Sequence, residues 1–134
     1  MKSRDTLVRL KRFQADEKRR RVMQLQAMIA EFTRMANELN REITAEETKA
    51  NISDPNHFAY PTYARAARGR RDNITTSLEN FRLQLAEAEE QLKEANEEFA
   101  KAQSQEARDR GAERMIDVVA ERRAGEMPEA MRRV

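Results

Sequence analysis

Between Val22 and Ile43 the chain reads VMQLQAMIAEFTRMANELNREI, with apolar residues at Val22, Leu25, Ile29, Phe32, Ala36, Leu39 and Ile43. The intervals alternate three and four, which is the a/d seam of a coiled coil. A helix that packs into a globular interior carries a wider apolar face, so a seam this narrow calls for a partner helix. Extended in both directions, one of the two seam positions persists: Val8, Ala15, Val22, Ile29, Ala36, Ile43 and Ala50 are seven apart and all apolar. Its companions begin as Arg4, Lys11 and Lys18, become Leu25, Phe32 and Leu39, and end at Glu46. The spacing predicts a first helix over about residues 3–50, apolar in its middle and half-cationic in its first third. Met28 and Met35 flank the seam, where flexible side chains fill irregular gaps. Leu7, Leu10 and Phe13 form a second apolar strip off the seam.

The helix is expected to stop in ANISDPNHFAYPTYA, because Pro55 and Pro61 each disfavour helix at the residue before them. A turn is therefore predicted over 51–61. Asp54 and Pro55 make an N-cap and N1 pair, so one short turn is expected at Pro55–Ala59. Phe58, Tyr60 and Tyr63 cluster here and are expected to plug the open end of a hairpin. A second helix is predicted over about 62–124. Its seam runs through Ala64, Ala67, Arg71, Ile74, Leu78, Phe81, Leu85, Ala88, Leu92, Ala95, Phe99 and Ala102, again alternating three and four. The same phase continues through Glu106, Asp109 and Glu113 to Ile116 and Ala120. Gly69 and Gly111 each cost about 1 kcal/mol relative to Ala in a helix interior and are expected weak points. The tail 125–134 is expected to fray.

Two seams of similar length joined by a tight loop predict an all-α fold, one domain over 1–134, with two long helices forming an antiparallel coiled-coil hairpin. In such a hairpin the numbers of facing residues sum to a constant, and a sum of about 110 or about 117 keeps a positions against d positions. The larger sum sets Ala36 against Phe81 and Ile29 against Ala88, and it joins Lys11 to Glu106 and Arg4 to Glu113. Charge therefore favours the larger. In either register the second helix outruns the first by roughly a dozen residues. Ala112, Met115, Ile116 and Val119 form an apolar stripe there, surrounded by Arg110, Arg114, Arg122 and Arg123. An apolar stripe without a partner in its own chain is a candidate binding surface.

Composition narrows the function classes. Of 134 residues, 37% are charged and 5% aromatic, with no Trp. That is too polar for a packed globular core and suits either long helices or a disordered chain. Sustained heptads decide for helices, since disorder has no reason to keep a seven-residue period. There is no Cys, hence no disulfide framework and no thiol nucleophile. The opening MKSRDTLVRLKRF lacks the apolar core of a signal peptide, and no apolar run approaches the roughly 18 residues needed to span a bilayer. A soluble intracellular protein is expected. Net charge is +2 but uneven. Residues 1–21 hold nine Lys or Arg against Asp5, Asp16 and Glu17, and residues 79–106 hold eight Glu against Arg82, Lys93 and Lys101.

His57 is the sole histidine and lies in the loop, without the convergent ligands that a metal or an acid–base site requires. The three glycines are isolated, so no phosphate-cradling loop exists. No catalytic residue, metal or cofactor is expected; the chain does not read as an enzyme. The run Lys18-Arg19-Arg20-Arg21 is capable of phosphate contact. It lacks interleaved aromatics for base stacking, and its side chains leave a helix in different directions. Nucleic acid is not the expected partner. A membrane-surface helix needs a larger apolar face than Leu7, Leu10 and Phe13 supply before Asp16 and Glu17 interrupt it.

The opening MKSRDTLVRLKRFQADEKRRR, the loop SDPNHFAYPTYARAARGRRDN and the Glu-rich second helix resemble the flagellar export protein family FliJ, most closely its α-proteobacterial branch. The likeness covers nearly the whole chain, and the long proline-bearing loop departs from the enterobacterial pattern. The resemblance implies a two-helix antiparallel coiled coil akin to the stalk subunit of rotary ATPases. It implies a non-enzymatic adaptor of the bacterial flagellar type III export apparatus, serving flagellum biogenesis, motility and chemotaxis. Its implied partners are the hexameric export ATPase FliI, the export gate protein FlhA and export chaperones. The implied location is cytoplasmic, at the cytoplasmic face of the basal body, in peripheral association with the membrane-embedded gate, and a monomer is expected. In that family the end bearing both termini approaches the pore of the ATPase ring. Here that end combines Arg9, Arg12, Arg19 and Arg20 with Met115, Ile116 and Val119, the expected ATPase-binding residues. Two other classes remain open, a nucleic-acid-binding helical arm and a generic, homodimeric coiled-coil scaffold.

Overall fold

A computed structural model describes residues 3–126. Two helices make up the fold, α1 (Ser3–Ala50) and α2 (Thr62–Glu126), and no strand occurs among the described residues. The chain is all-α, an antiparallel hairpin of two long helices. It divides into two compact units, a turn unit of residues 17–92 and a terminal unit of residues 1–16 with 93–134.

In the turn unit the seam closes on apolar side chains. Val22, Leu25 and Ala88 form one buried cluster, with Phe81, Leu85 and Leu92 packed against it. Leu39, Ile43 and Ala67 form another, joined by Ile74. Each cluster sets large residues of α1 on an alanine of α2, so the backbones approach closely where the alanine sits. Phe32 meets Phe81 edge to face, with ring centroids 5.1 Å apart and planes at 72°.

These contacts correct the register. The pairings Ala36–Phe81 and Ile29–Ala88, which charge favours, do not form. Phe81 meets Phe32, and Ala88 shares its cluster with Val22 and Leu25. The smaller sum holds. In the terminal unit Lys11 likewise donates to Glu98 at 2.7 Å rather than to Glu106, although Arg4 does reach Glu113 at 2.6 Å. Seam packing acts over van der Waals distances, whereas a Lys or Arg side chain reaches about a turn in either direction. Charge matching therefore tolerates a slip that the core does not.

Helix α1 ends on Asn51, upstream of both prolines. Asn51 has φ of 55°, the left-handed conformation that asparagine tolerates better than other side-chain-bearing residues. Its N–H donates to Thr48 O at 3.2 Å, and the Ile52 N–H donates to Glu47 O at 3.2 Å. This is a Schellman cap, and it satisfies carbonyls that the helix end leaves open. The Asp54 carboxylate then accepts from the Asn56 N–H at 2.9 Å. Two linked turns follow, closed by His57 N–H to Asp54 O and Tyr60 N–H to His57 O, in place of a single turn at Pro55–Ala59. The first bond of α2 runs from the Arg65 N–H to Pro61 O.

Of the three loop aromatics, Tyr60 alone is a plug. It is 4% exposed. Its hydroxyl donates to Glu47 at 2.8 Å and accepts from Arg68 Nε at 2.9 Å, while the Arg65 and Arg68 guanidiniums lie 5.5 and 5.9 Å from its ring centre. Phe58 is 95% exposed and stacks on His57, and Tyr63 is half-exposed on the first turn of α2, its hydroxyl donating to Glu42. The expected three-ring cluster is thus corrected. Ala64 and Ala67 are fully buried, so the helices converge at once and leave room for a single ring.

Helix α2 passes Gly69 and Gly111 without a break. Of the tail expected to fray, Gly125 and Glu126 are helical, and the rest lies outside the described residues.

Candidate functional site

The seam pattern assigns each residue of the terminal unit to a face. With Val8 and Ala15 at a, and Arg4 and Lys11 at d, Asp5 and Arg12 occupy e and Arg9 occupies b. On α2, Phe99, Glu106 and Glu113 are at a, Ala102 and Asp109 at d, and Arg110 and Asp117 at e. Burial agrees: Ala15 and Ala102 are buried, while Arg4, Val8, Lys11, Phe99, Glu106, Asp109 and Glu113 are partly covered. Where α1 carries Arg4 and Lys11 at seam positions, α2 carries Phe99 and then Glu106, Asp109 and Glu113 along its own seam.

The e/b edge is ionic. Arg110 pairs with Asp5 at 3.4 Å and with Glu106 one turn back, and Arg4 pairs with Glu113 on the seam beside them. A hydrogen bond with Glu106, then the charges of Arg110 and Arg4, hold Asp5 below its ordinary value. The Lys11 hydrogen bond similarly lowers Glu98, and the Glu113 hydrogen bond raises Arg4. Arg4 Nε is buried without a partner, a donor left over when its terminal nitrogen takes Glu113. Arg12 lies over the Phe99 ring at 5.5 Å, so one of the expected binding arginines also covers the seam.

Among the described residues, the seam of α2 beyond Glu113 is not covered by α1. Arg4 already meets Glu113 and α1 begins at Ser3, so the following residues of α2 project past it. Every residue from Arg114 to Glu126 is exposed, including Met115 at 66%, Ile116 at 68% and Val119 at 44%. Together with Ala120, Arg123 and Ala124 these three line an open depression on the helix surface.

The seven expected site residues do not converge on one face. Arg9 and Arg12 lie on the e/b edge of the terminal unit, whereas Met115 and Val119 occupy c and g and Ile116 continues the seam at d. Arg19 and Arg20 belong to the turn unit. Two features escaped the sequence reading. The triad Asp5, Glu106 and Arg110 was visible only as unrelated charges until the e position was assigned. The g/c edge also carries Leu7 and Leu10, each nearly half exposed, on the same side as Ala112, Met115 and Val119. Heptad lettering of the Leu7–Leu10–Phe13 strip was the signal for it.

The chain matches no protein-family model, no curated protein and no solved structure. Among the described residues no group of His, Cys, Asp and Glu is arranged to hold a metal, and no helix is long and apolar enough to cross a membrane. The terminal unit exposes cations and aliphatic side chains along helical surfaces.

Proposed function

We propose that the chain is a non-enzymatic stalk and adaptor of the bacterial flagellar type III export apparatus, acting in the cytoplasm at the basal body. It binds the hexameric export ATPase FliI and the gate protein FlhA, and so couples ATP hydrolysis to secretion of flagellar subunits. The observation that carries this reading is the unpaired segment of α2, where Met115, Ile116 and Val119 stand exposed among arginines in the unit that holds both terminal stretches. Apolar and Arg anchors on a polar surface are what protein interfaces use for affinity. The likeness of the N-terminal stretch, the loop and the second helix to the FliJ family supplies the identity of the partner. Binding preferentially to the assembled ring stabilises that state by mass action, which is how such an adaptor raises turnover.

The test mixes the protein with purified FliI and follows ATP turnover. Stimulation that saturates with added protein is expected, and an unchanged rate at every ratio rejects the reading. Replacing Arg9 and Arg12 together by Ala weakens the effect while helicity by circular dichroism stays intact.

A further inference from the structure

The heptad of α2 does not stop where α1 does. Past Glu113 the seam runs on in the same phase, through Ile116 at d, Ala120 at a and Arg123 at d. All three are exposed, and the open depression formed by Met115, Ile116, Val119, Ala120, Arg123 and Ala124 is centred on them. A seam is a narrow surface, and what closes it is another helix. Asp5 meets Arg110 across the pair, so the first turn of α1 lies near the level of Arg110, while α2 runs on to Glu126. About 16 residues of α2, roughly 24 Å of helix, therefore carry a seam that α1 does not cover.

We propose that this stretch pairs with the same stretch of a second copy of the chain, antiparallel, so that each overhang completes the seam of the other. Antiparallel pairing that keeps a against d sets Ile116 on Ala120 of the second copy, and Ala120 on its Ile116. This is the large-on-alanine packing of Leu25 and Ala88 in the turn unit. The same offset sets Glu113 against Arg123 of the second copy at both ends of the contact, opposite charges at seam positions. A carboxylate accepts from more than one donor, so Glu113 keeps its bond from Arg4. Length agrees as well. The offset puts Glu126 of the second copy opposite Arg110, so its α2 ends near where α1 begins. Along the flanks Val119 meets its counterpart and Glu126 meets Ala112, both at g. Asp117 meets its counterpart at e, the single like-charged approach at a flanking position. Arg114 and Glu121 at b and Arg122 at c lie behind these edges. A parallel copy fits poorly, because it sets Glu113 on Glu113 and Arg123 on Arg123. A lipid surface fits poorly too, since Glu113 and Arg123 stand on the same stripe as Ile116 and Ala120. So short a pairing belongs to the small, transient class of interfaces. It goes beyond the ATPase reading and does not depend on it, and the two occupants compete for one face.

The test follows the full chain by sedimentation velocity from about 10 μM to about 1 mM, where small interfaces form and dissociate. A monomer–dimer equilibrium is expected. Ile116→Glu weakens the dimer about tenfold or more with unchanged helicity by circular dichroism, and Leu83→Glu, at an exposed position of the turn unit, leaves it within about twofold. Glu113→Arg and Arg123→Glu each weaken it about fivefold or more, because each alone sets like charges across the seam. An equimolar mixture of these two variants dimerises to within about twofold of the unchanged chain, since every seam contact then joins opposite charges. The mixture also controls for the Arg4 contact that Glu113→Arg removes. Asp117→Asn tightens the dimer about twofold. A monomer throughout the range, a dimer that ignores Ile116→Glu, or a mixture no better than its separate members overturns the proposal. So does a monomeric chain that binds 3:1 phosphatidylcholine–phosphatidylglycerol vesicles through Ile116. No ATPase is present, so the outcome stands apart from the turnover assay.

Discussion

The turn unit and the terminal unit use the same heptad geometry with opposite chemistry. In the turn unit Val22, Leu25, Leu39 and Ile43 meet alanines of α2 in buried apolar clusters. In the terminal unit Arg4 and Lys11 hold seam positions and meet Glu113 and Glu98, with only small residues such as Ala15 and Ala102 fully covered. Apolar contacts fix register and keep their strength in salt. Exposed ion pairs tolerate slip, weaken as salt screens them and contribute modestly each. The turn unit is therefore built to stay closed, and the terminal unit to be adjustable where it is proposed to bind.

The sharpest way to break this contrast is to remove the best-buried side chain of the turn unit. Leu25 is 0% exposed, and Leu25→Ala is expected to destabilise the protein by about 3 kcal/mol in urea titration. A loss below 1 kcal/mol would mean that the apolar seam is not what holds the unit. Acid and salt probe the other side. The Lys11 hydrogen bond lowers the pKa of Glu98, so the stabilisation from that pair is present above the ordinary carboxylate value near pH 4 and is lost as pH falls through the lower folded value. Below that window, amide exchange is expected to accelerate over residues 4–16 and 95–113 before residues 22–43. Uniform acceleration would erase the distinction. A smaller effect tests how the turn unit is closed: Asn51→Ala places an ordinary side chain at positive φ and is expected to cost about 1 kcal/mol. The smallest change is a gain. A Cβ built on Gly69 meets nothing within 4 Å, so Gly69→Ala is expected to add about 0.5–1 kcal/mol in the same titration.

Much of the fold was legible because burial follows spacing. The alternation of three and four that starts at Val22 picks out Leu25, Ala36, Leu39 and Ile43, and on α2 Ala64, Ala67, Leu78, Ala88 and Ala102, all of which are buried. Register was not legible from charge, since Lys11 reaches Glu98 as easily as a carboxylate one turn away. The stop of α1 was hidden in Asn51, whose backbone freedom is a weaker sequence signal than two prolines. The aromatic loop misled for a steric reason: Tyr60 is buried at the turn beside the buried Ala64 and Ala67, and Phe58 is turned out. In the candidate site the exposed Met115, Ile116 and Val119 were legible as a stripe that outruns its partner. Their separation from Arg9 and Arg12 needed the helix faces and the observed pairing of Asp5 with Arg110.

The burial of Tyr60 has an optical consequence. The chain has no Trp and two Tyr, Tyr60 and Tyr63, and both belong to the turn unit. Each hydroxyl donates to a carboxylate across the hairpin, Glu47 for one and Glu42 for the other. Tyrosine emission therefore reports the opening of the turn unit and is silent about the terminal unit, whereas far-ultraviolet ellipticity sums over both helices. A melting curve read by both signals separates the two units without any label, and the gap between the curves belongs to the ion-paired seam.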